Sequence, residues 1–204
     1  MKLYETIQDE RLKKAVKKVL RDNGYKLHYI PATMTGRHHP IDERGYDGLM
    51  KHTEKVAWFL DQVCRQLNYS KEVRDILLTA AYFHDLGKLK QTKVIQEVKY
   101  SKGKVEREVK VIREVKNKDL HSIFSAELAR KYLEKEGVEE ETIETITDII
   151  KSHMSHWYPY LPQPQTELEK IFAIADFIVS RDEFTLKTPK ESLWTRLKKK
   201  VLKY

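Results

Sequence analysis

The chain has 204 residues, 40 % of them apolar and 34 % charged, which is enough to bury one hydrophobic core. A formal net charge of +8 favours polyanionic partners such as nucleotides or nucleic acid, although a charged surface can also serve solubility or heat adaptation. The single cysteine, Cys64, excludes an internal disulfide. Without a long apolar run or a signal-peptide pattern, we expect a cytoplasmic protein with no membrane partner. The oligomeric state is not predicted.

The hydrophobic pattern predicts an all-α protein. Apolar residues recur at spacings of three and four along most of the chain, and glycine and proline are scarce. Asn23-Gly24 is expected to end the first helix, and Gly87 is expected to cap the third at its C-terminus. Helices are predicted at about residues 5–21, 49–67, 71–86, 121–137, 140–153, 166–179 and 187–204.

Two segments interrupt this pattern. Residues 25–48 are rich in turn-forming residues and make a long connection of the kind that often carries function, although its histidines could equally be exposed loop residues. Residues 92–116 alternate between apolar and polar types around a glycine-containing turn, which predicts a β-hairpin inserted between helices. The hairpin could clamp an extended substrate, contact another subunit, or have no role.

Five predicted helices carry a histidine or aspartate on the side that faces the core. Each of these residues alone would more often be an ordinary core residue, but six of them in a chain with eight histidines suggest one shared site. A buried carboxylate without a partner is costly, and a metal ion is the usual partner for such a group. Nitrogen and oxygen ligands without cysteine suit Mn, Fe, Co, Ni, Mg or Zn in an open site. The six residues are His52, His84, Asp85, His121, His153 and Asp176.

In their order and helix placement, these residues resemble the HD superfamily of metal-dependent phosphohydrolases. The superfamily pattern is H…HD…D, and dinuclear members add two histidines between HD and D. The resemblance covers roughly residues 38–181 and implies a helical bundle around the metal centre. We therefore expect residues 1–204 to form one HD-type domain, with basic helices at both ends and the β-hairpin as an insertion.

The resemblance also implies roles for the six residues. Asp85 would bridge a first divalent ion to a second one, so one or two ions are expected. His153 is followed by Met154, where many dinuclear members carry a second adjacent histidine. The first ion would be held by His52, His84, Asp85 and Asp176. The second would be held by Asp85, His121 and His153.

The activity that the resemblance implies is hydrolysis of a phosphoester by metal-activated water. The basic segments and the charged hairpin favour single-stranded nucleic acid slightly over a free nucleotide as substrate. A di-iron oxygenase with the same ligands and a non-enzymatic basic adaptor are the alternatives from other classes. Asp85 and Lys88 are assigned as catalytic, with Lys88 on a phosphate oxygen, although a lysine at the end of a helix is also favoured by the macrodipole. Substrate contacts are assigned to Arg37, His38, His39, His156 and Arg181.

Overall fold

The computed structural model describes residues 2–33, 39–101, 104–113 and 120–182. Two short 3-10 turns, Leu3–Thr6 and Ile41–Glu43, accompany the α-helices in these ranges. The helices are α1 (Glu10–Leu27), α2 (Gly48–Gln66), α3 (Lys71–Phe83), α4 (Lys88–Gln91), α5 (His121–Lys135), α6 (Glu140–Ser152) and α7 (Glu167–Val179). The predicted basic helix at 187–204 lies outside the described residues.

The predicted β-hairpin is present between α4 and α5. Strands β1 (Thr92–Ser101) and β2 (Lys104–Arg113) pair in antiparallel fashion, with Thr92 opposite Arg113 and Ser101 opposite Lys104. The prediction of an all-α bundle with an inserted hairpin is therefore confirmed, while residues 114–116 of the predicted hairpin lie outside the described ranges.

The first helix differs from its prediction at both ends. The side chain of Asp9 accepts hydrogen bonds from the backbone N–H groups of Arg11 and Leu12, so α1 begins later than the expected residue 5. The helix then continues through Gly24, where a stop was predicted. Leu27 in the last turn is buried, and burial of one leucine contributes about 1.5–3 kcal/mol. That contribution outweighs the cost of about 1 kcal/mol for a glycine inside a helix.

Helix α3 lies at the centre of the bundle, in contact with α1, α2, α5 and α6. Every residue from Leu77 to Phe83 is buried, so the C-terminal end of α3 is surrounded by other helices. Helix α7 packs against α2 and α6, and its Phe172 is fully buried. The residues that directly follow Phe83 therefore lie inside the protein. Among the residues that the structure describes, no helix combines the length and apolar character needed to cross a membrane.

The single cysteine is inert in this fold. Cys64 lies on the buried face of α2, and burial raises the pKa of its thiol to about 11. A raised pKa keeps the thiol protonated, so at pH 8 only about 1 in 1,000 molecules would carry a thiolate. We expect Ellman's reagent to react with Cys64 at once in urea but very slowly in native buffer. Fast labelling of the folded protein would contradict the buried position of Cys64 and would show that its thiol can react in the folded state.

Candidate metal centre

The end of α3 sets the position of His84 and Asp85. The helix ends at Phe83, earlier than the predicted residue 86, and the N–H of His84 donates to the carbonyl of Ala80 at 2.8 Å. Gly87 was expected to cap α3 at its C-terminus, but His84 is the capping residue and Gly87, with a φ of −60°, immediately precedes α4. A Cβ on Gly87 would lie 2.1 Å from the carbonyl oxygen of His121. Glycine therefore allows the start of α5 to approach the end of α3.

Three side chains from α2, the end of α3 and α7 form the first ligand group. The Nε2 atom of His52 lies 2.9 Å from Oδ1 of Asp176 and 3.4 Å from Nε2 of His84. Nδ1 of His84 lies 2.8 Å from the carbonyl oxygen of Ala81, so it carries the proton that it donates there. The lone pair of His84 Nε2 is then directed at the other two side chains. This geometry resembles that of ligands around one ion.

Asp85 connects this group to a second one. Its Oδ2 atom lies 3.5 Å from Nε2 of His84 and 3.8 Å from Nε2 of His52. Its other oxygen, Oδ1, lies 3.1 Å from Nε2 of His121 and 3.9 Å from Nε2 of His153. The carboxylate thus presents one oxygen to each group, which is the arrangement of a bridging ligand between two ions.

The protonation states of the buried groups suit a cation. Burial alone would raise the pKa of Asp85, but Lys88 and His84 hold it well below its usual range. Burial would also raise the pKa of Asp176, but the contacts of its carboxylate with His52 and His84 hold it well below its usual range. Both carboxylates are therefore charged and buried, a state that is costly without compensating positive charge.

Two of the buried histidines, His52 and His153, have pKa values shifted in opposite directions. For His52, burial favours the neutral form, but Asp176 and Glu43 outweigh it and raise the pKa to about 9. Burial lowers the pKa of His153 to about 3, so this imidazole is neutral. Its Nδ1–H donates to the carbonyl of Ile150 at 2.6 Å, and within the described part of the chain its buried Nε2 has no hydrogen-bond partner. A buried lone pair beside a carboxylate fits a metal ligand.

Comparison with known protein families supports this geometry. The family model of the HD domain matches residues 49–178, which is more than half of the chain, and the chain belongs to the HD domain family. Members of this family are typically metal-dependent hydrolases of the phosphohydrolase superfamily and bind divalent metals. Comparison with curated proteins and with solved structures gave no match.

The predicted catalytic lysine, Lys88, lies beside the carboxylate of Asp85. The ammonium group of Lys88 donates to Oδ2 of Asp85 at 2.5 Å and to the carbonyl of Ala32 at 2.7 Å. Lys88 begins the short helix α4, one turn after Asp85. The ammonium group of Lys88 points towards the centre and not along the surface. A positive charge in this position could stabilise an anion bound at the centre.

The predicted substrate contacts fall into three places. His39 is half-buried beside the centre, and its ring centroid lies 5.0 Å from that of His52. His156 and Arg181 lie apart from it in an aromatic cluster, where the Arg181 guanidinium sits 4.4 Å from the ring centroids of both Trp157 and Phe177. The His156 ring packs against Phe177 in the same cluster. Arg37 and His38 lie outside the described residues.

Sequence reasoning missed Glu43, which is fully buried beside the centre. It belongs to the run Asp42-Glu43-Arg44-Gly45, which has the composition of a surface turn. Its spacing to His39 matches one turn of a helix, but that spacing has little weight inside a segment of turn residues. Nothing in the chain pattern would have separated Glu43 from its neighbour Asp42.

Proposed function

We propose that the protein is a metal-dependent phosphohydrolase that cleaves a phosphoester of nucleic acid or of a nucleotide. The observation that carries this proposal is the position of Asp85, whose two oxygens each face a separate group of buried histidines. The first ion would be held by His52, His84, Asp85 and Asp176. A second ion would be held by Asp85, His121 and His153.

Divalent metal at this site would supply an activated water and neutralise charge on the phosphoryl oxygens. The chain contributes the orientation of the ligands. The Nδ1–H groups of His84 and His153 are held by carbonyls in the preceding turn, which keeps both Nε2 lone pairs directed inwards. The ammonium group of Lys88 contacts Asp85. Once Asp85 binds metal, this ammonium group could bind a phosphate oxygen of the substrate from the same position.

We favour single-stranded nucleic acid over a free nucleotide as the substrate. The net charge of +8 supports a polyanion, because neutralised phosphates release counterions. The cluster of Trp157, Phe177 and Arg181 supports base stacking, since Trp157 keeps 40 % of its surface exposed. Phe177 of this cluster directly follows the proposed ligand Asp176 in the chain. A nucleic-acid strand stacked on the cluster would therefore extend towards the metal centre. His39 beside His52 would contact the phosphate.

A hydrolysis panel with Mn²⁺ tests this choice. Labelled single-stranded RNA and DNA would be compared with nucleoside mono- and triphosphates, and Asp85→Ala would serve as the inactive control. Cleavage of the polymers that vanishes in the control supports the nuclease. Phosphate release from free nucleotides alone supports a small-nucleotide hydrolase. No hydrolysis of any substrate would contradict the phosphohydrolase, and oxygen uptake with bound iron would then test the same six ligands as a di-iron oxygenase.

Replacing Lys88 with methionine should separate catalysis from metal binding. The ammonium group now competes with a metal for Oδ2 of Asp85, so Lys88→Met should bind Mn²⁺ at least as tightly as the wild type. Hydrolysis should fall by about 10²-fold, because a donor to the phosphoryl oxygens is lost. Calorimetric titration and kcat measurements check the two effects separately.

Lys90→Met is the matched control for this variant. Lys90 lies on the same short helix but points to the surface, where it contacts Glu127 and the ring of Phe124. We expect wild-type turnover from Lys90→Met. Loss of metal from Lys88→Met, or equal rates in the two variants, would contradict the role assigned to Lys88.

A further inference from the structure

Glu43 is a buried carboxylate held in place by its own backbone. It ends the 3-10 turn Ile41–Glu43, and its carbonyl accepts the N–H of Ala32 at 3.0 Å. Gly48, the first residue of α2, packs against this carbonyl: a Cβ there would lie 2.2 Å from the oxygen. The turn can therefore close onto the start of α2 only because residue 48 has no side chain. The backbone of Glu43 is therefore fixed against Gly48, one helical turn before His52 on α2.

The side chain of Glu43 contacts three basic groups. Its Oε1 atom accepts a hydrogen bond from the ammonium group of Lys55 at 2.7 Å. Its Oε2 atom lies 2.8 Å from Nδ1 of His39 and 3.3 Å from Nδ1 of His52. The ammonium group of Lys55 balances the charge of Glu43, and the hydrogen bond from His39 stabilises it further, which allows a carboxylate to remain ionised at 0 % exposure.

The ring of His52 thus lies between two carboxylates. Glu43 is next to Nδ1, and Asp176 is 2.9 Å from Nε2. An imidazole can give its Nε2 lone pair to a metal only when the proton is on Nδ1, and a carboxylate next to Nδ1 keeps it there. Nδ1 of His52 is buried and makes no hydrogen bond within the described residues, so the carboxylate of Glu43 at 3.3 Å acts on its proton through charge.

We propose that Glu43 is a positioning residue, which holds His52 with its proton on Nδ1 and its Nε2 directed into the metal centre. This inference rests on the metal centre of the proposed function and adds a residue that the ligand pattern does not contain. A competing assignment is a separate ion held by His39, Glu43 and His52, whose ligand atoms also lie close enough together. That assignment is disfavoured because both oxygens of Glu43 are already engaged, Oε1 by the ammonium group of Lys55 and Oε2 by Nδ1 of His39.

Calorimetric titration with Mn²⁺ tests the proposal on the full chain. We expect Glu43→Gln to bind Mn²⁺ about 10- to 100-fold more weakly than the wild type, as is typical when the partner of a metal-bound histidine is lost. Asp61→Asn is the matched control, since Asp61 is a buried carboxylate on α2, the helix that carries His52, and accepts hydrogen bonds from Arg74 and Arg65. It should lose stability but retain its Mn²⁺ affinity.

Two outcomes of the titration separate this inference from the proposed function. Unchanged Mn²⁺ affinity in Glu43→Gln would overturn the positioning role alone. Unchanged affinity in His52→Gln would overturn the metal centre and this inference with it. A third ion in the wild type that is absent from Glu43→Gln would assign Glu43 as a ligand and would also overturn the positioning role.

A spectroscopic measurement on the wild type does not depend on the folding of any variant. Loaded with diamagnetic Zn²⁺ and labelled with ¹⁵N, the protein should show His52 with a protonated Nδ1 and a metal-bound Nε2 in long-range ¹H–¹⁵N spectra. A purely structural role for Glu43 would not require this tautomer. Metal on Nδ1 of His52, with the proton on Nε2, would contradict the proposal.

Discussion

Replacing Asp85 with alanine should abolish metal binding and hydrolysis together. Its Oδ2 atom faces His84 and His52, and its Oδ1 atom faces His121, so one substitution removes an oxygen from both ligand groups. The remaining histidines would still lie close together, but without a negative charge between them a divalent cation would be poorly held. We expect no measurable Mn²⁺ binding by calorimetry and no turnover above background.

Asp75→Asn provides the control for loss of a buried carboxylate. Asp75 lies on α3, ten residues before Asp85, and accepts the backbone N–H groups of Gln8 and Asp9. This variant should lose stability and keep its metal. Full metal stoichiometry in Asp85→Ala would exclude Asp85 as the bridging ligand and would require another centre.

The second large effect is expected at Gly87. An alanine there would place its Cβ 2.1 Å from the carbonyl oxygen of His121 and 2.7 Å from the backbone nitrogen of Ser125. Neither backbone atom can move without shifting α5, and overpacking of this kind typically costs about 1–3 kcal/mol of stability. The shift would carry His121 away from Asp85, so the protein should also bind fewer equivalents of metal. Urea denaturation followed by circular dichroism and a metal titration measure the two effects.

Gly24→Ala is the opposite case and serves as the control. Gly24 lies within α1, and a Cβ there would meet nothing within 4 Å. Alanine should therefore raise the free energy of unfolding by about 0.5–1 kcal/mol, since the unfolded chain loses freedom and no contact is strained. If Gly87→Ala were as stable as the wild type with its metal complement intact, the tight approach of α3 and α5 would be wrong.

Much of the fold could be predicted from local chemistry. The segment Thr166-Glu167-Leu168-Glu169 has the sequence of a capping box, and that box is present at the start of α7. Gly137, at the predicted end of α5, has a φ of 69°, which glycine adopts without strain. The failures occurred where a distant contact decides the conformation. Gly24 lies inside α1 because Leu27, three residues later, is buried. Gly87 is required for packing, because the backbone of α5 lies directly against it. Neither contact leaves a signal in the neighbouring sequence.

The burial of the six candidate ligands was predictable because each lies on or directly beside the apolar stripe of a helix. His84 follows the buried end of α3, and His153 follows α6 in the same way, so hydrophobic periodicity places both in the interior. Periodicity gives no such information for irregular segments. Glu43 is buried by the folding of a turn onto Gly48, and this depends on the tertiary structure.

The separation of His52 and Asp176 along the chain has a consequence for folding. These residues are 124 positions apart, yet their side chains meet at 2.9 Å. An ion bound by both would join α2 to α7, as a disulfide would, in a chain whose single cysteine cannot form one. At a metal concentration 100-fold above Kd, such a link adds about 2.7 kcal/mol to the stability. Because the site is complete only after α7 has docked, the ion would slow unfolding more than it accelerates folding.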